Sequence, residues 1–245
     1  MAIHYRTKGF VLKKSDSGEA DRIFTIFTKD FGKLEILAKA IRKIGSKLRG
    51  GMEIFYLSDI EFIQGKTHKT LTDAILIESF LNLRKDLKRL KIAFDISEMI
   101  DSLIRGEEKD EKIWKLLKET SERLNNKIYL SIKECWLIYY YFLWNFLSIL
   151  GYKPQLNFCL ICQKKLIPQG LYFSFQEGGV ICSNCSKKLK EKKKISPEAV
   201  KILRLIFEKD LDFLKKLKVE REQQKEIKEI SENYLSHIKE SQAKF

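Results

Sequence analysis

The run from Cys135 to Tyr152, CWLIYYYFLWNFLSILGY, carries no charged side chain, and its Leu, Ile, Phe, Tyr and Trp residues fall on every side of a helix. A helix that is apolar all round must be buried, in protein or in lipid. Its length only just reaches the roughly 18 residues that a bilayer requires. Asn145 and Ser148 interrupt it, and its tyrosines mass at the middle instead of at the two ends, where membrane aromatics sit. The segment 132–150 therefore reads as the inner helix of a bundle. It leads directly into four paired cysteines, while a β-rich segment lies far upstream.

A chain of 245 residues can bury a substantial core and hold two or three modules. Its 47 Lys and Arg against 33 Asp and Glu give a net charge of +14. With 44% hydrophobic and 33% charged residues the composition is globular, not that of a disordered basic tail. Such a surplus favours polyanionic partners, nucleic acid first and an anionic membrane surface second. A lysine-rich proteome gives the same figure, so charge alone is not specific. The start, MAIHYRTKGF, lacks the apolar run of a secretory signal. Five cysteines, four of them in tight pairs, suit a reducing compartment and a metal better than disulfides. The cytoplasm is the expected location.

Residues 3–79 read as strands. Lys8 to Lys14 is the first, and Asp16-Ser17-Gly18 supplies turn chemistry after it. Ile23 to Thr28 alternates as the second, and Asp30-Phe31-Gly32 suits a hairpin loop with Gly in the left-handed conformation. Leu34, Ile36, Ala38 and Ala40 share a face of the third; Ile54, Tyr56, Ile60 and Phe62 share a face of the fourth; Thr70 to Ile77 is the fifth. Five short strands without helices between them predict a small barrel or sandwich. The longer link after the third strand falls where a five-stranded OB barrel carries its own.

From Leu83 the period becomes helical. Leu83, Leu87, Leu90 and Phe94, with Ile92, Ile96, Met99 and Leu103, predict a helix ended by Arg105-Gly106. Ile113, Leu116, Leu117 and Leu124 predict a second, whose acidic first turn opposes the helix dipole. These two and the apolar helix are expected to form a bundle. Past the cysteines, Ser196-Pro197-Glu198 starts another helix. Leu211, Phe213, Leu214 and Leu217 extend or follow it, and Ile227, Ile230, Tyr234 and Ile238 mark the last.

Cys159-x2-Cys162 and Cys182-x2-Cys185 lie nineteen residues apart, with Leu171–Phe175 and Gly178-Gly179 between them as a hairpin. Four thiolates on two short knuckles suit tetrahedral Zn²⁺. Two disulfides or unmetallated thiols are the alternatives. A catalytic zinc keeps a position open, whereas here four ligands are supplied and His68 and His237 are remote in sequence, so the site reads as structural. Cys135 reads as a small core side chain.

Lys39, Arg42, Lys43, Lys47 and Arg49 crowd the loop AKAIRKIGSKLRGG between the third and fourth strands. Cations on a flexible loop beside a barrel suit a phosphate backbone, and a solvated loop is the plain alternative. Arg84, Lys85, Lys88, Arg89 and Lys91 extend positive charge into the first helix, and Lys187, Lys188, Lys190 and Lys192 to Lys194 form a further run that reads as a solvated face. Phe24, Phe27, Tyr56 and Phe62 read as core by their alternation, not as stacking platforms. No Gly-rich loop ends in Lys-Ser/Thr, and neither G-x-S-x-G nor H-E-x-x-H occurs. No catalytic residue is assigned.

Three strings in order, Gly18-Glu19-Ala20-Asp21-Arg22, Thr28-x3-Gly32-Lys33 and Ala38-Lys39-x2-Arg42-Lys43-x2-Ser46-Lys47-Leu48, resemble the N-terminal domain of the bacterial recombination mediators of the RecO family. The resemblance continues through Leu71 and Glu78-Ser79-Phe80, the junction Gly151-Tyr152-Lys153-Pro154 before Cys159, and Tyr234-Leu235-x-His237. Ile41 departs from it, since many members carry glycine there.

The resemblance implies an α+β multidomain protein: an N-terminal five-stranded OB-type barrel over 1–80, a helical bundle whose first part is 81–155, a four-cysteine zinc module over 156–190, and C-terminal helices over 191–245 packing on the bundle. It implies no enzymatic turnover. It implies binding to single- and double-stranded DNA, strand annealing, and, with RecR, loading of RecA on DNA coated by the single-strand-binding protein SSB. It further implies contact with the acidic C-terminal tail of SSB, no membrane, and a cytoplasmic place at the nucleoid. Carried onto this chain, the DNA-binding positions are Arg22, Lys33, Lys39, Arg42, Lys43 and Lys47. The metal ligands are Cys159, Cys162, Cys182 and Cys185, for one structural Zn²⁺. An RNA-binding OB and zinc protein of translation or RNA processing is the alternative reading, and a hydrolase with an unrecognised site is a third.

Overall fold

Alternation of apolar side chains at every second residue shapes the N-terminal half. The computed structural model describes residues 3–126, 129–187, 189 and 191–243, and the chain divides into two compact units, Met1–Cys135 and Trp136–Phe245. In the first unit, β1 (His4–Ser17), β2 (Asp21–Thr28), β3 (Gly32–Ala38), β4 (Leu57–Gln64) and β5 (Lys69–Glu78) close a barrel in the order β1-β2-β3-β5-β4. All neighbours are antiparallel except β3 and β5, where Ile36 lies opposite Lys69 and Leu37 opposite Thr70. This is the expected OB-type topology. Val11, Phe24, Ile26, Leu34, Ile36, Ile60 and Phe62 fill its interior.

Three details depart from the period-2 reading. Strand β1 is longer than residues 8–14, because its first half pairs with β4 and its second with β2. A register shift between Val11 and Lys13 lets it bend from one neighbour to the other. Ala40 leaves the face of β3: the strand stops at Ala38, and Ala40 takes a left-handed φ of 53°. Ile54 and Tyr56 are only half-buried, because Phe55, at φ 65°, reverses the alternation and itself enters the core beside Leu57.

Helices α1 (Leu81–Lys85) and α2 (Leu87–Leu103) replace the single predicted helix. Asp86 breaks it by accepting from the N–H groups of Lys88 and Arg89, which makes it the cap of a new helix. Leu87 and Phe94 consequently stay exposed, and Arg89, Ala93, Ile96 and Ile100 form the buried stripe. Helix α3 (Glu111–Asn125) starts at Asp110, which accepts from Lys112 and Ile113, and buries Ile113, Leu116, Leu117 and Leu124 as predicted. Phe10 of β1 meets Trp114 at 5.1 Å between ring centroids and Phe80 at 6.0 Å, so the helices pack on the barrel.

Gly32 takes φ 67°, as the hairpin loop requires, and a β-carbon there would overlap the Glu108 carbonyl. Gly32→Ala is therefore expected to cost roughly 2–4 kcal/mol, summing a left-handed alanine and a backbone collision. A urea midpoint equal to that of the wild type would contradict this packing.

Helix α4 (Ile132–Ile149) opens on a capping box in which Ser131 and Glu134 each accept from the other's backbone N–H, at 3.1 and 3.0 Å. From Trp136 on it belongs to the second unit, whereas α1 to α3 belong to the first. Among the described residues no helix is long and apolar enough to cross a membrane. The second unit continues with β6 (Tyr172–Ser174), β7 (Gly179–Ile181), α5 (Ser183–Ser186), β8 (Lys193–Lys194), α6 (Pro197–Glu208), α7 (Leu211–Leu214) and α8 (Arg221–Ala243). Strands β7, β6 and β8 form a small sheet in that order. Trp144, fully buried, stacks on Tyr234 of α8 at 5.7 Å and meets Phe173 of β6 at 6.4 Å and Phe207 of α6 at 6.3 Å. Aromatics from three other elements thus meet Trp144 of α4, which is why its uncharged stretch from Cys135 onward is stable there.

Candidate nucleic-acid interface and metal centre

The loop from β3 to β4 is fixed by its apolar residues, while Lys39, Lys43, Lys47 and Arg49 on it are exposed. Ile41 and Met52 are buried in the barrel core, and Leu48 packs against it. The left-handed backbone of Ala40 costs about 1 kcal/mol. That cost is offset by Asp21, whose carboxylate accepts the Ala40 N–H at 2.7 Å. The Arg42 N–H donates to the Ala20 carbonyl at 2.9 Å, so the loop lies against the turn from β1 to β2.

The six sequence-predicted positions separate into three groups. Lys39, Lys43 and Lys47 are exposed, as is Arg49 beside them, and none carries an ion pair among the described residues. Arg22 and Arg42 share Asp16, at 2.7 and 3.5 Å, and Arg42 also donates to the Gly18 carbonyl at 3.4 Å. Hydrogen bonding from Arg22, with Arg42 and Lys14 adding their charge, holds the Asp16 carboxyl below its ordinary range. Lys33 differs. Its ammonium donates to the Asp101 carbonyl at 2.6 Å and pairs with the Asp101 carboxylate at 3.2 Å, so it ties β3 to α2 instead of facing solvent.

The positive extension along the first helix is smaller than its sequence indicates. Arg89 is wholly buried, donating to the Leu124 carbonyl at 2.9 Å, and Arg84 lies over the Tyr56 ring at 4.6 Å. Lys91 pairs with Asp95 at 2.8 Å, while Lys85 and Lys88 are exposed. Of the later run, Lys188 and Lys190 lie outside the described residues. Lys192 donates to the Ser186 and Leu189 carbonyls, Lys193 pairs with Glu229, and Lys187 and Lys194 are exposed. Phe24, Phe27 and Phe62 are core, as their alternation predicted, and half-buried Tyr56 is not. Asp16, Asp21 and Asp101 were missed as organisers. Asp21 stands inside a recognisable string, but a partner nineteen residues away in the chain leaves no periodic signal.

In the second unit the four cysteines converge. The Sγ atoms of Cys159, Cys162, Cys182 and Cys185 all lie within 4.8 Å of one another. Cys162 and Cys182 are 3.9 Å apart, far beyond a disulfide bond. A tetrahedron with metal–sulfur bonds of about 2.3 Å has edges of about 3.8 Å. The first knuckle closes through Cys159 N–H to the Lys164 carbonyl at 2.8 Å and Gln163 N–H to the Cys159 carbonyl at 2.9 Å, with Gln163 at φ 57°. The second knuckle places Cys185 on α5, and the Cys182 N–H points at the Cys159 sulfur at 3.4 Å.

Burial, the largest influence on Cys159, pushes its thiol up, but the N–H groups of Cys162, Cys182 and Ile161 outweigh it and hold the thiol at about 6. At Cys185, burial and the crowding of the other three sulfurs push the thiol up to about 12. One thiolate forms readily and another resists, so the cluster needs a cation before all four can ionise. The donor set fits a thiolate-bound metal ion. Cys135 stands apart from this cluster, a buried thiol raised chiefly by burial.

Comparison with known proteins agrees with this geometry. Residues 1–80 match a family model described as recombination protein O N terminal, and residues 84–241 match recombination protein O C terminal. A DNA repair protein RecO from Dehalococcoides mccartyi (strain ATCC BAA-2266 / KCTC 15142 / 195) is 36% identical over 89% of this chain and 84% of its own. One from Thermoanaerobacter sp. (strain X514) is 31% identical over 94% of this chain and 90% of its own. One from Halalkalibacterium halodurans is 26% identical over 94% and 88%. With both halves matched and identity of this order sustained over most of the chain, the protein belongs to the RecO family of DNA repair proteins.

Proposed function

We propose that this chain is a DNA-binding recombination mediator without enzymatic turnover. It anneals complementary strands and, with RecR, helps load RecA on single-stranded DNA coated by SSB, whose acidic C-terminal tail it engages. Residues 1–80 are the DNA-binding domain, 81–155 and 191–245 the helical frame, and 156–190 a module held by one structural Zn²⁺ on Cys159, Cys162, Cys182 and Cys185. Annealing requires two polyanions to be neutralised together, while base pairing supplies the sequence specificity.

The observation that carries this reading is the set of exposed cations without ion pairs among the described residues, Lys39, Lys43 and Lys47, on a loop anchored by buried Ile41 and Met52. Arg22 and Arg42, sharing the single carboxylate of Asp16, extend that surface along the adjoining turn. Lys33 acts as a brace for the barrel.

Annealing of complementary oligonucleotides, followed by loss of single-strand fluorescence without added nucleotide, is the test. The expected result is acceleration over the spontaneous rate that fades as salt rises, since each phosphate contact on a single strand contributes about −0.7 to the slope of log affinity against log salt. Stronger competition by RNA than by DNA would transfer the protein to the RNA-binding class. Indifference to both polymers at low ionic strength would refute nucleic-acid binding altogether.

A further inference from the structure

The barrel is not the most basic part of this chain. Residues 151–195 hold nine Lys and two Glu, and no Asp or Glu at all occurs between Glu134 and Glu177. Residues 1–83, nearly twice as long, hold fourteen Lys and Arg against ten Asp and Glu. Several of the nine lysines are committed inside the second unit. Lys153 lies over the Phe207 ring at 5.1 Å, Lys192 caps backbone carbonyls, and Lys193 pairs with Glu229. Lys164 and Lys165 are exposed and carry no ion pair among the described residues. They sit on the first cysteine knuckle.

That knuckle also exposes an aromatic ring. Phe158 is 45% exposed, next in sequence to the buried Cys159. Phe158 and Lys165 are directly opposed partners of an antiparallel bridge. Directly opposed residues project to one face with β-carbons about 5 Å apart, so the lysine ammonium and the phenyl ring share a surface. The Leu166 N–H donates to the Asn157 carbonyl at 3.1 Å and the Cys159 N–H to the Lys164 carbonyl at 2.8 Å, which fixes this ladder from both sides. The platform is therefore ordered before any ligand arrives. Nearly half of Phe158 lies in water, where a ligand can reach it.

We propose that the first cysteine knuckle is a second single-stranded DNA contact, in which a base stacks on Phe158 while Lys164 and Lys165 take the flanking phosphates. Sequence-tolerant binding of single strands combines these two components, a π-face and a cationic track. The site rests on the reading of the protein as a DNA-binding mediator, and it gives an annealing protein a contact for nucleic acid outside the barrel loop. The metal's role is indirect: it holds Cys159 and Cys162, and through them the bridge that carries the ring.

The test is anisotropy of labelled oligo-dT across a salt series with the full chain, its Lys164→Ala/Lys165→Ala variant and its Phe158→Leu variant, alongside 5-bromouracil photo-crosslinking of the wild type. The double lysine variant is expected to lower the salt slope by about 1.4, from about 0.7 per contact. Phe158→Leu should weaken binding about tenfold with little change in slope, since leucine keeps the bulk and loses the π-face. Crosslinks should fall on residues 157–166, and zinc content and melting temperature should match the wild type. Should Phe158→Leu lose zinc, the crosslink to the wild type decides instead. Normal affinity and slope in both variants, with crosslinks confined to the barrel, would overturn this site and leave the mediator reading standing. No binding of oligo-dT by the wild type would overturn both.

Discussion

Cys159→Ser/Cys162→Ser is expected to abolish stoichiometric zinc and to lower the melting temperature by about 8–16 °C. Structural zinc is worth about 10–16 kcal/mol in isolated fingers. Here part of the module is also held by packing, since Phe173 and Val180 are fully buried and Phe173 meets Trp144 of α4. A net loss of about 4 kcal/mol is therefore the working figure, and each kcal/mol is worth about 2–4 °C in a chain of this size. Plasma mass spectrometry of dialysed protein, read with thermal circular dichroism, checks both halves. A variant that melts with the wild type would show that the packing alone holds residues 156–190.

The same centre has a signed pH dependence. In the metal-free chain Cys159 is held at about 6, below an ordinary thiol near 8.5. A group depressed by folding contributes stability that is complete above its unfolded value and is lost as pH falls through its folded one. Metal binding acts in the same direction, because protons compete for all four sulfurs. Acidification of the metal-free chain from about pH 8.5 through 6 is thus expected to lower its melting temperature, whereas the zinc-loaded chain, whose thiolates the cation holds deprotonated, should keep its metal through that window, measurable with a chromogenic chelator.

Removing the loop cations together should produce the largest functional change. Lys39→Ala/Arg42→Ala/Lys43→Ala/Lys47→Ala is expected to lower the single-strand salt slope by up to about 2.8 and affinity by on the order of a hundredfold near physiological salt. Annealing should fall with it, because both strands lose the surface that screens them from each other. Stability should change little. The four side chains are exposed, and Ile41, Leu48 and Met52, which seat the loop, are untouched. Lys33→Ala supplies the contrast. Because that ammonium bonds Asp101, its removal should weaken the tie from β3 to α2 and leave the salt slope alone. A slope that drops for Lys33→Ala but not for the quadruple variant would reverse the assignment.

Much of this architecture is written in local patterns. The barrel interior follows from every second residue of Phe24 to Phe62, the buried helix from the uncharged run around Trp144, and the four-sulfur cluster from two C-x2-C pairs. The capping residue Ser196, read together with Pro197, marks the start of its helix. Each of these depends on neighbours within a few positions, so a linear reading captures them.

What the linear reading misplaced involves residues whose partners lie far along the chain or whose backbone leaves the ordinary basins. Phe55 and Ala40 adopt left-handed angles that invert the expected faces of Ile54, Tyr56 and Ala40 itself. Arg89 belongs to the interior because the Leu124 carbonyl, thirty-five residues on, receives it. Lys33 looks identical to Lys43 in composition, yet one is bound by Asp101 and the other faces water.

Local pattern along the chain is enough to set most of the elements, the four-cysteine cluster and the presence of a basic loop. Which cations a ligand can reach is settled by packing alone. A positive charge is free or neutralised according to what folding carries within about 4 Å of it, and that distance has no counterpart in sequence separation.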